Sequence, residues 1–426
     1  MKQIAWLLGV TVMILLEPAS SWSDDKPVAS VETLVKQLEH SAADRRIEAA
    51  EALGKLGVPG PAAVEKLTKM LTDADPDVRA AGAKVLGTMG APAKSAAPAL
   101  LALFKDEAPT SSGEPVWYVA GTAYGKLAPD SLPLLLKELK SENRTVFHAA
   151  AVAIHHIGPE AKGAVPTLVE LLQKNNPETR IAIIYALMGL GPDAAAAVPA
   201  LIEMTRNDDF HTQYWSCRAL GKVGLPGAKV AVPVLLKLLS DEIASVRGNA
   251  AAALGNLGPG AGPEVVPALT KSLKDKLYNV RTAAAIALGQ MGPLAIDAVP
   301  QLDASLANES FAARSQAAIA RWQITREVEP TVRVLVAELE NPNSPWDAAS
   351  GFQQIGPPAA VAVDRLIKLL GSPDRETRIW TASALAGIGA SAKRSVPKLT
   401  EMLQDKEEEI REVAAETIRV IENAEK

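Results

Sequence analysis

The sequence of 426 residues has a single cysteine, Cys217, and aromatic residues make up only 4% of it. One cysteine excludes a disulfide within the chain, so the fold must be held by packing alone. The chain contains no Gly-rich loop of the kind that cradles phosphate, and its glycines follow a repeating pattern instead. The formal net charge of −5 offers no attraction to nucleic acid or to anionic lipid. We therefore expect neither a nucleotide-binding nor a nucleic-acid-binding protein.

What the chain does contain is a repeat built from small and aliphatic residues. Hydrophobic residues form 48% of the sequence, so Ala, Leu and Val must do the packing. A block of about 33 residues recurs twelve times, and the position of Pro233 recurs at spacings of 31 to 35 residues. Such a period is typical of a solenoid, in which each unit buries its apolar face only against its neighbours.

Each block is predicted to form two antiparallel helices. The first begins near a Val-Pro pair such as Val232-Pro233, where proline suits the first helical turn. The second begins near Val246-Arg247 and ends in Leu-Gly-x-Leu-Gly, where we expect the glycines to stop the helix. The fold class is therefore all-α, an α-solenoid of about twelve two-helix repeats. The repeats lie near 28–57, 61–90, 94–128, 130–158, 162–191, 195–225, 229–259, 263–292, 296–325, 329–356, 360–389 and 393–426.

The motifs of the two helices resemble those of the HEAT-repeat family, in particular its short bacterial PBS-lyase-like members. The resemblance rests on the Val-Pro first helix and on Asp…Val-Arg…Ala-Ala-x-Ala-Leu-Gly-x-Leu-Gly in the second, and it covers residues 28–426. The family includes scaffolds, transport receptors, bilin lyases and a di-iron hydroxylase. The resemblance therefore implies the fold and leaves the function open.

One arginine recurs at an equivalent position of the second helix in eight of the repeats. In four repeats an aspartate, as at Asp241 and Asp275, precedes this position by six residues. The resemblance implies that these residues join neighbouring repeats by hydrogen bonds, which is a structural role. The arginines are Arg46, Arg79, Arg180, Arg247, Arg281, Arg314, Arg378 and Arg411.

Both ends of the chain depart from the repeat. Residues 1–23 combine Lys2, an apolar run from Ile4 to Leu16 and small residues, which is typical of a signal peptide cleaved after Ser21 or Ser23. An uncleaved membrane anchor is the alternative. We expect export, to a periplasm or by secretion. In the last repeat, glutamates replace the Ala-rich pattern, so we expect residues 404–426 to form a polar cap.

Four repeats lack the recurrent arginine and have Trp117, Phe147, Gln213 or Pro345 in its place. Nine of the fifteen aromatic residues after residue 23, and four of the five histidines, lie between residues 104 and 215. Helical geometry predicts that positions one, two, five and nine after the arginine lie opposite the core, on the concave side of the solenoid. The candidate binding residues of this face are Tyr118, His148, Tyr185, Tyr214, Trp215 and Arg218. The alternative is that they fill gaps left by small neighbours.

The sequence offers little for catalysis. The di-iron branch of the family uses His-Glu pairs, and this chain has no His-Glu dipeptide. His148 and His155 would lie about 10.5 Å apart along a helix, too far to share an ion, and Cys217 has no histidine positioned as its base. We expect no catalytic residue, no metal and no cofactor. The function that these observations favour is a non-enzymatic exported scaffold for a protein or peptide partner. The alternative is an enzyme or accessory protein of the lyase-like or metal-dependent type.

Overall fold

The computed structural model describes residues 30–57, 60–174, 176–307, 311–341 and 345–424. Within these ranges the chain consists of α-helices joined by short turns and 3-10 segments, with no β-strand beyond an isolated bridge between Pro109 and Pro115. The helices fall into twelve consecutive pairs. The predicted all-α solenoid of two-helix repeats is confirmed, and the predicted signal segment 1–23 lies outside the described residues.

Each repeat has a first helix with an odd number and a second helix with an even number. The first helices are α1 Val31–Gln37, α3 Pro61–Met70, α5 Ala97–Ala102, α7 Leu132–Glu138, α9 Val165–Gln173, α11 Val198–Met204, α13 Val232–Leu238, α15 Val265–Ser272, α17 Val299–Ser305, α19 Val328–Leu339, α21 Val363–Leu369 and α23 Val396–Met402. The second helices are α2 Ala43–Lys55, α4 Pro76–Met89, α6 Val116–Leu127, α8 Arg144–Ile157, α10 Arg180–Leu190, α12 Phe210–Val223, α14 Ala244–Leu257, α16 Tyr278–Met291, α18 Phe311–Thr325, α20 Pro345–Ile355, α22 Arg375–Ile388 and α24 Glu408–Asn423.

The chain divides into two compact units, residues 1–200 and residues 201–426. In unit 1, successive second helices from α2 to α10 pack on one another. In unit 2, successive second helices from α12 to α24 do the same, and each first helix from α13 onward packs on the second helix of its own repeat. The predicted core positions are buried, as at Ala250, Ala251 and Leu254. The core is therefore a row of small and aliphatic side chains between helices.

The two glycines that end each second helix have different roles. The second one stops the helix, because it takes a positive φ that other residues avoid, as at Gly258 (66°) and Gly292 (59°). The first one, such as Gly255, lies inside the helix. A Cβ there would lie 2.6 Å from the Cα of Ala287 on the next second helix. The expectation that both glycines stop the helix is thus wrong for the first, which permits close helix packing.

The recurrent arginine joins neighbouring repeats, as the resemblance implied. Arg247 donates through Nε and Nη2 to the carboxylate of Asp275 in the next repeat, at 2.7 and 2.9 Å. Its Nη1 donates to the carbonyl oxygens of Asp241 and Glu242 in its own repeat, at 2.8 and 3.1 Å. Arg79 in unit 1 forms the same set of bonds with its own turn and the next repeat. We call such a set of bonds an arginine joint, because it links two repeats through one guanidinium.

In repeat 3 the connection between the two helices is longer than in the other repeats, and it contains a tight turn between α5 and α6. Thr110 donates its backbone N–H to the carbonyl of Glu114 at 2.8 Å, and Gly113 within the turn has a φ of 86°. Ser111 donates both its N–H and its hydroxyl to Asp77 at the start of α4. The insertion is thus tied to the preceding repeat.

Two continuous stretches, Arg180–Met204 and Tyr278–Ser305, are long and apolar enough to cross a membrane by length and composition alone. Each consists of the second helix of one repeat, a 3-10 segment and the first helix of the next repeat. Their apolar residues include fully buried core positions such as Leu187 and Leu288. Packing between repeats thus accounts for their composition.

Candidate binding surface on the second helices

Aromatic packing replaces the arginine joint in repeats 3 and 4 of unit 1. Trp117 and Phe147 occupy the arginine position, and both side chains are buried. The ring of His148 lies 5.8 Å from that of Trp117. His148 Nε2 donates to the carbonyl oxygen of Glu178 in the following repeat, at 3.0 Å. Burial lowers the pKa of His148, so the imidazole makes this bond in its neutral form at pH 7. A histidine thus provides the link between repeats that arginine provides elsewhere.

Tyr185 on α10 is held by residues from two other second helices. The ring of His155 on α8 stacks on it, with centroids 3.9 Å apart and planes inclined by 12°. His155 Nδ1 also donates to the carbonyl oxygen of Tyr185 at 2.7 Å. The side chain of Tyr185 is hydrogen bonded to that of Tyr118 on α6, and burial together with Tyr185 raises the pKa of Tyr118. Tyr185 nevertheless stays partly exposed, so it presents a ring in a fixed position.

His156 lies beside this cluster and stays neutral. Burial, the neighbouring His155 and Lys126 lower its pKa to about 3. Its Nε2 is buried and has no hydrogen-bond partner among the described residues. A histidine with so low a pKa does not exchange a proton with a substrate at physiological pH.

The three candidate residues of unit 2 contact one another on α12. The rings of Tyr214 and Trp215 lie 5.2 Å apart in an edge-to-face arrangement. Arg218 Nη1 donates to the hydroxyl oxygen of Tyr214 at 3.2 Å, and its guanidinium carbon lies 5.6 Å from the centre of each ring. Tyr214 and Arg218 are partly exposed. Tyr214 and Arg218 thus present one aromatic ring and one positive charge at the surface of α12.

Two of the six candidates lie in the core instead of on the surface. Tyr118 is 8% exposed and Trp215 is 2% exposed. The expectation of an open position was wrong for both, because adjacent second helices lie side by side and cover the flanks of each helix as well as its inner face. His148, Tyr185, Tyr214 and Arg218 remain partly exposed.

Sequence reasoning missed the role of His155. It lies eight residues after the position of the recurrent arginine. Other repeats have at this place the glycine that permits close helix packing, as at Gly221, Gly255 and Gly289. The backbone of His155 also approaches α10 closely, because a glycine, Gly189, faces it, and a Cβ there would lie 2.2 Å from the His155 carbonyl oxygen. The sequence did offer a signal for this role, namely a large ring at a position where other repeats have glycine.

The described residues offer little for covalent or metal chemistry. Burial raises the pKa of the Cys217 thiol to about 12, so it stays protonated at neutral pH and is a poor nucleophile. Within the part of the chain that the structure describes, no group of three or more His, Cys, Asp or Glu side chains could hold a metal ion.

Stacked helix pairs with a recurrent arginine joint and Ala-rich second helices define a helical repeat protein. The chain belongs to the family of HEAT repeats, whose model matches most of its length. The matched segments are residues 31–111, 132–209, 165–242, 198–260, 232–321 and 332–419.

Several solved structures are similar to the chain at low sequence identity. An engineered protein shares 25% identity with a TM-score of 0.39, over 92% of this chain and 99% of that one. Importin beta shares 14% with a TM-score of 0.48, over 93% of this chain and 63% of its own. The karyopherin Kap121p, bound to the extreme C-terminus of the protein phosphatase Cdc14p, shares 14% with a TM-score of 0.46, over 92% of this chain and 49% of its own. The chain thus spans about half to two thirds of the length of these two proteins. It matches no curated protein sequence.

Proposed function

We propose that this protein is an exported, non-enzymatic HEAT-repeat scaffold that binds a protein or peptide partner. The binding surface is the open side of the second helices, which the sequence predicts to be concave. In unit 1 the candidate binding residues are His148 and Tyr185. Unit 2 has its own candidate residues, Tyr214 and Arg218.

The observation that carries the proposal is the fixed, partly exposed ring of Tyr185. Stacking on His155 and a hydrogen bond with Tyr118 hold it before any partner arrives. A side chain that is already ordered loses little conformational entropy on binding, and tyrosine and arginine are enriched among the residues that dominate binding energy. A ring whose only role was to fill a gap between helices would not need to be exposed to solvent.

Affinity capture with the mature chain tests the surface. We expect Tyr185→Ala and Tyr214→Ala each to weaken capture of the partner at least tenfold. Tyr278→Ala is the matched control, because Tyr278 is 57% exposed and lies at the start of α16, two repeats after Tyr214. Loss of capture by the control alone, or unchanged capture by both surface variants, would contradict the assignment.

A metal analysis separates the scaffold from the enzymatic alternative. We expect the purified chain to bind no stoichiometric iron or zinc. Two iron atoms per chain would favour a metal-dependent enzyme instead.

The export part of the proposal rests on residues 1–23 alone. We expect mass spectrometry of the mature protein to show cleavage after Ser21 or Ser23. An intact Met1 on protein from the cytoplasm would contradict export.

A further inference from the structure

The arginine joints of this chain share one arrangement of acceptors. At Arg247, two nitrogens of the guanidinium meet the carboxylate of Asp275 from the next repeat, and the third meets two carbonyl oxygens of its own turn. This joint is mostly buried, with side chains of Arg247 and Asp275 that are 8% and 13% exposed. One carboxylate and two carbonyls thus receive one guanidinium.

Each aspartate of these joints serves two repeats. Asp275 offers its carboxylate to Arg247 and its carbonyl oxygen to Arg281 of its own repeat, at 2.8 Å. Its Oδ1 also accepts the N–H of Leu277 at 3.0 Å, which orients the carboxylate. Asp73 of unit 1 bonds in the same way to Arg46 and to its own turn.

Asp241 has the same arrangement, but no arginine among the described residues donates a hydrogen bond to its carboxylate. Its carbonyl oxygen accepts from Arg247 at 2.8 Å, and its Oδ1 accepts the N–H of Ile243 at 2.8 Å. The residue opposite its carboxylate, at the arginine position of repeat 6, is Gln213. The Asp241 charge also contributes to the raised pKa of Cys217, which lies one helical turn after Gln213.

Gln213 does not complete the joint. Its Oε1 is buried and has no hydrogen-bond partner among the described residues. The carbonyl oxygens of Asn207 and Asp208, which correspond to those that bind Arg247 in repeat 7, accept no hydrogen bond in the described part of unit 2. By equivalence with the other joints, the joint between repeats 6 and 7 combines the Asp241 carboxylate, two carbonyls and the Gln213 carboxamide, without the guanidinium that those joints contain.

Apolar side chains flank this set of acceptors at the surface. Phe210 and Ile243, at the starts of α12 and α14, are 43% and 42% exposed. Ile243 occupies the N-cap position, where Asp75 and Asn143 in other repeats accept backbone N–H groups, so repeat 7 lacks a capping bond. An exposed apolar side chain in place of a cap is suited to contact with a partner.

We propose that the joint between repeats 6 and 7 binds the guanidinium of an arginine side chain from a protein partner, with an apolar residue beside that arginine contacting Phe210 and Ile243. Arginine fits because its planar head carries five N–H donors in a fixed fork, and the equivalent joints of this chain bind it in that geometry. Lysine offers a compact charge with three donors and matches the fork less well. The inference rests on the proposed scaffold function, but its site uses none of the four residues proposed for the second-helix surface.

Binding of Nα-acetyl-arginine amide to the full chain, measured by saturation-transfer NMR, tests the site. We expect wild type and Glu242→Gln to bind it, and Asp241→Asn to lose at least tenfold in affinity. Glu242→Gln is the matched control, because it removes an exposed carboxylate adjacent to the site. We expect Gln213→Arg to abolish binding and to raise the Tm, because its own guanidinium then completes the joint. Equal binding to wild type and Gln213→Arg, or an unchanged Tm for Gln213→Arg, would overturn the proposal.

Two further probes set the specificity. Nα-acetyl-lysine amide should bind at least tenfold more weakly than the arginine probe, and equal binding would show a general acidic patch instead. An acetyl-Arg-Leu amide should bind about three- to tenfold more tightly than the arginine probe, and Ile243→Ser should remove only this gain. A leucine gain that persists in Ile243→Ser would overturn the apolar part of the site. Failure of arginine binding alongside partner capture that depends on Tyr185 would refute this inference and leave the scaffold function standing.

Discussion

At the scale of single residues, absence of a side chain matters as much as its presence. Gly255 and Gly248 both lie inside α14, Gly248 in its second turn and Gly255 in its last turn. A Cβ at Gly255 would lie 2.6 Å from Ala287 Cα, whereas a Cβ at Gly248 would meet nothing closer than 4.0 Å. The close approach of the neighbouring helix therefore requires glycine at position 255 but not at position 248.

This difference predicts opposite effects of one substitution. Gly248→Ala should stabilise the protein by about 0.5–1 kcal/mol, because alanine is the better helix former. Gly255→Ala should destabilise it by about 1–3 kcal/mol, because two packed helices must separate to admit the methyl group. Urea unfolding of both variants measures the free energies. Equal effects of the two changes would show that helix propensity alone decides both sites.

The Arg247–Asp275 joint predicts a dependence of stability on pH. The hydrogen bond from Arg247 lowers the pKa of Asp275 in the folded state. A carboxyl with a depressed folded pKa stabilises the fold above its unfolded pKa of about 3.9, and this contribution disappears as the pH falls toward the folded pKa. We expect Asp275→Asn to unfold more easily at pH 7 and to lose less stability than wild type between pH 5 and pH 3. Unfolding curves across this range check both, and parallel curves for the two proteins would contradict the assignment.

Removal of the guanidinium itself has a larger predicted effect. Arg247→Ala leaves the buried carboxylate of Asp275 and two carbonyls without their shared donor. Loss of a charged hydrogen-bonded group of this kind should cost about 1.5–3 kcal/mol of the free energy of unfolding. Arg45→Ala is the control, since Arg45 is exposed and pairs only with Glu48 on the surface of α2. If Arg247→Ala lowered the free energy of unfolding no more than Arg45→Ala does, the structural role of the recurrent arginine would be ruled out.

At the scale of elements, α12 shows how neighbouring helices decide the fate of each side chain. Tyr214 and Trp215 are adjacent in sequence and contact each other, yet the tyrosine is partly exposed and the tryptophan is buried. Consecutive helical residues diverge by about 100°, so one of two adjacent rings turns toward a neighbouring helix. The surface of the element therefore carries only one of them.

We expect Trp215→Ala to cost about 3–5 kcal/mol of the free energy of unfolding, because it leaves a cavity where a buried indole was. Tyr214→Ala should cost much less, since its ring is partly exposed. Chemical denaturation of the two variants makes the comparison. A small loss for Trp215→Ala, with lost partner capture instead, would favour the original expectation that Trp215 is a surface anchor.

At the scale of the whole molecule, the last repeat differs from those before it. Helix α24 buries Ile410, Ala414 and Ile421 against the preceding repeat. Its outer face carries exposed glutamates, among them Glu412 and Glu416, where repeat 7 has Gly248 and Ala252. One side of this helix thus continues the core and the other is suited to water.

Truncation before Gln404 should therefore cause aggregation, because it exposes the apolar faces of α22 and α23 to solvent. Light scattering of the purified truncated chain would detect it. A substitution of Glu412 by Ser in the full chain is the control and should leave the protein monodisperse. A truncated chain that stayed soluble and equally stable would remove the cap assignment.

The sequence alone was enough to predict the repeat and the helix pairs, and the resemblance to HEAT repeats implied the arginine joints. These depend on periodic residues that act within one repeat or across one neighbour, as at Arg247 and Asp275 in unit 2. The buried inner face of each second helix followed from the same periodicity, since residues three, four and seven after the arginine lie on one side.

The open surface was decided by the tertiary structure. Helical geometry placed Tyr118 and Trp215 opposite the core, but the adjacent second helices cover them. The stacking of His155 on Tyr185, and the lack of an arginine at the Asp241 carboxylate, likewise depend on which residue of the neighbouring repeat lies opposite. A period in the sequence determines which side of a helix faces its own partner helix. How much of the remaining side stays open depends on the distance to the neighbouring repeats, which only the packed structure provides.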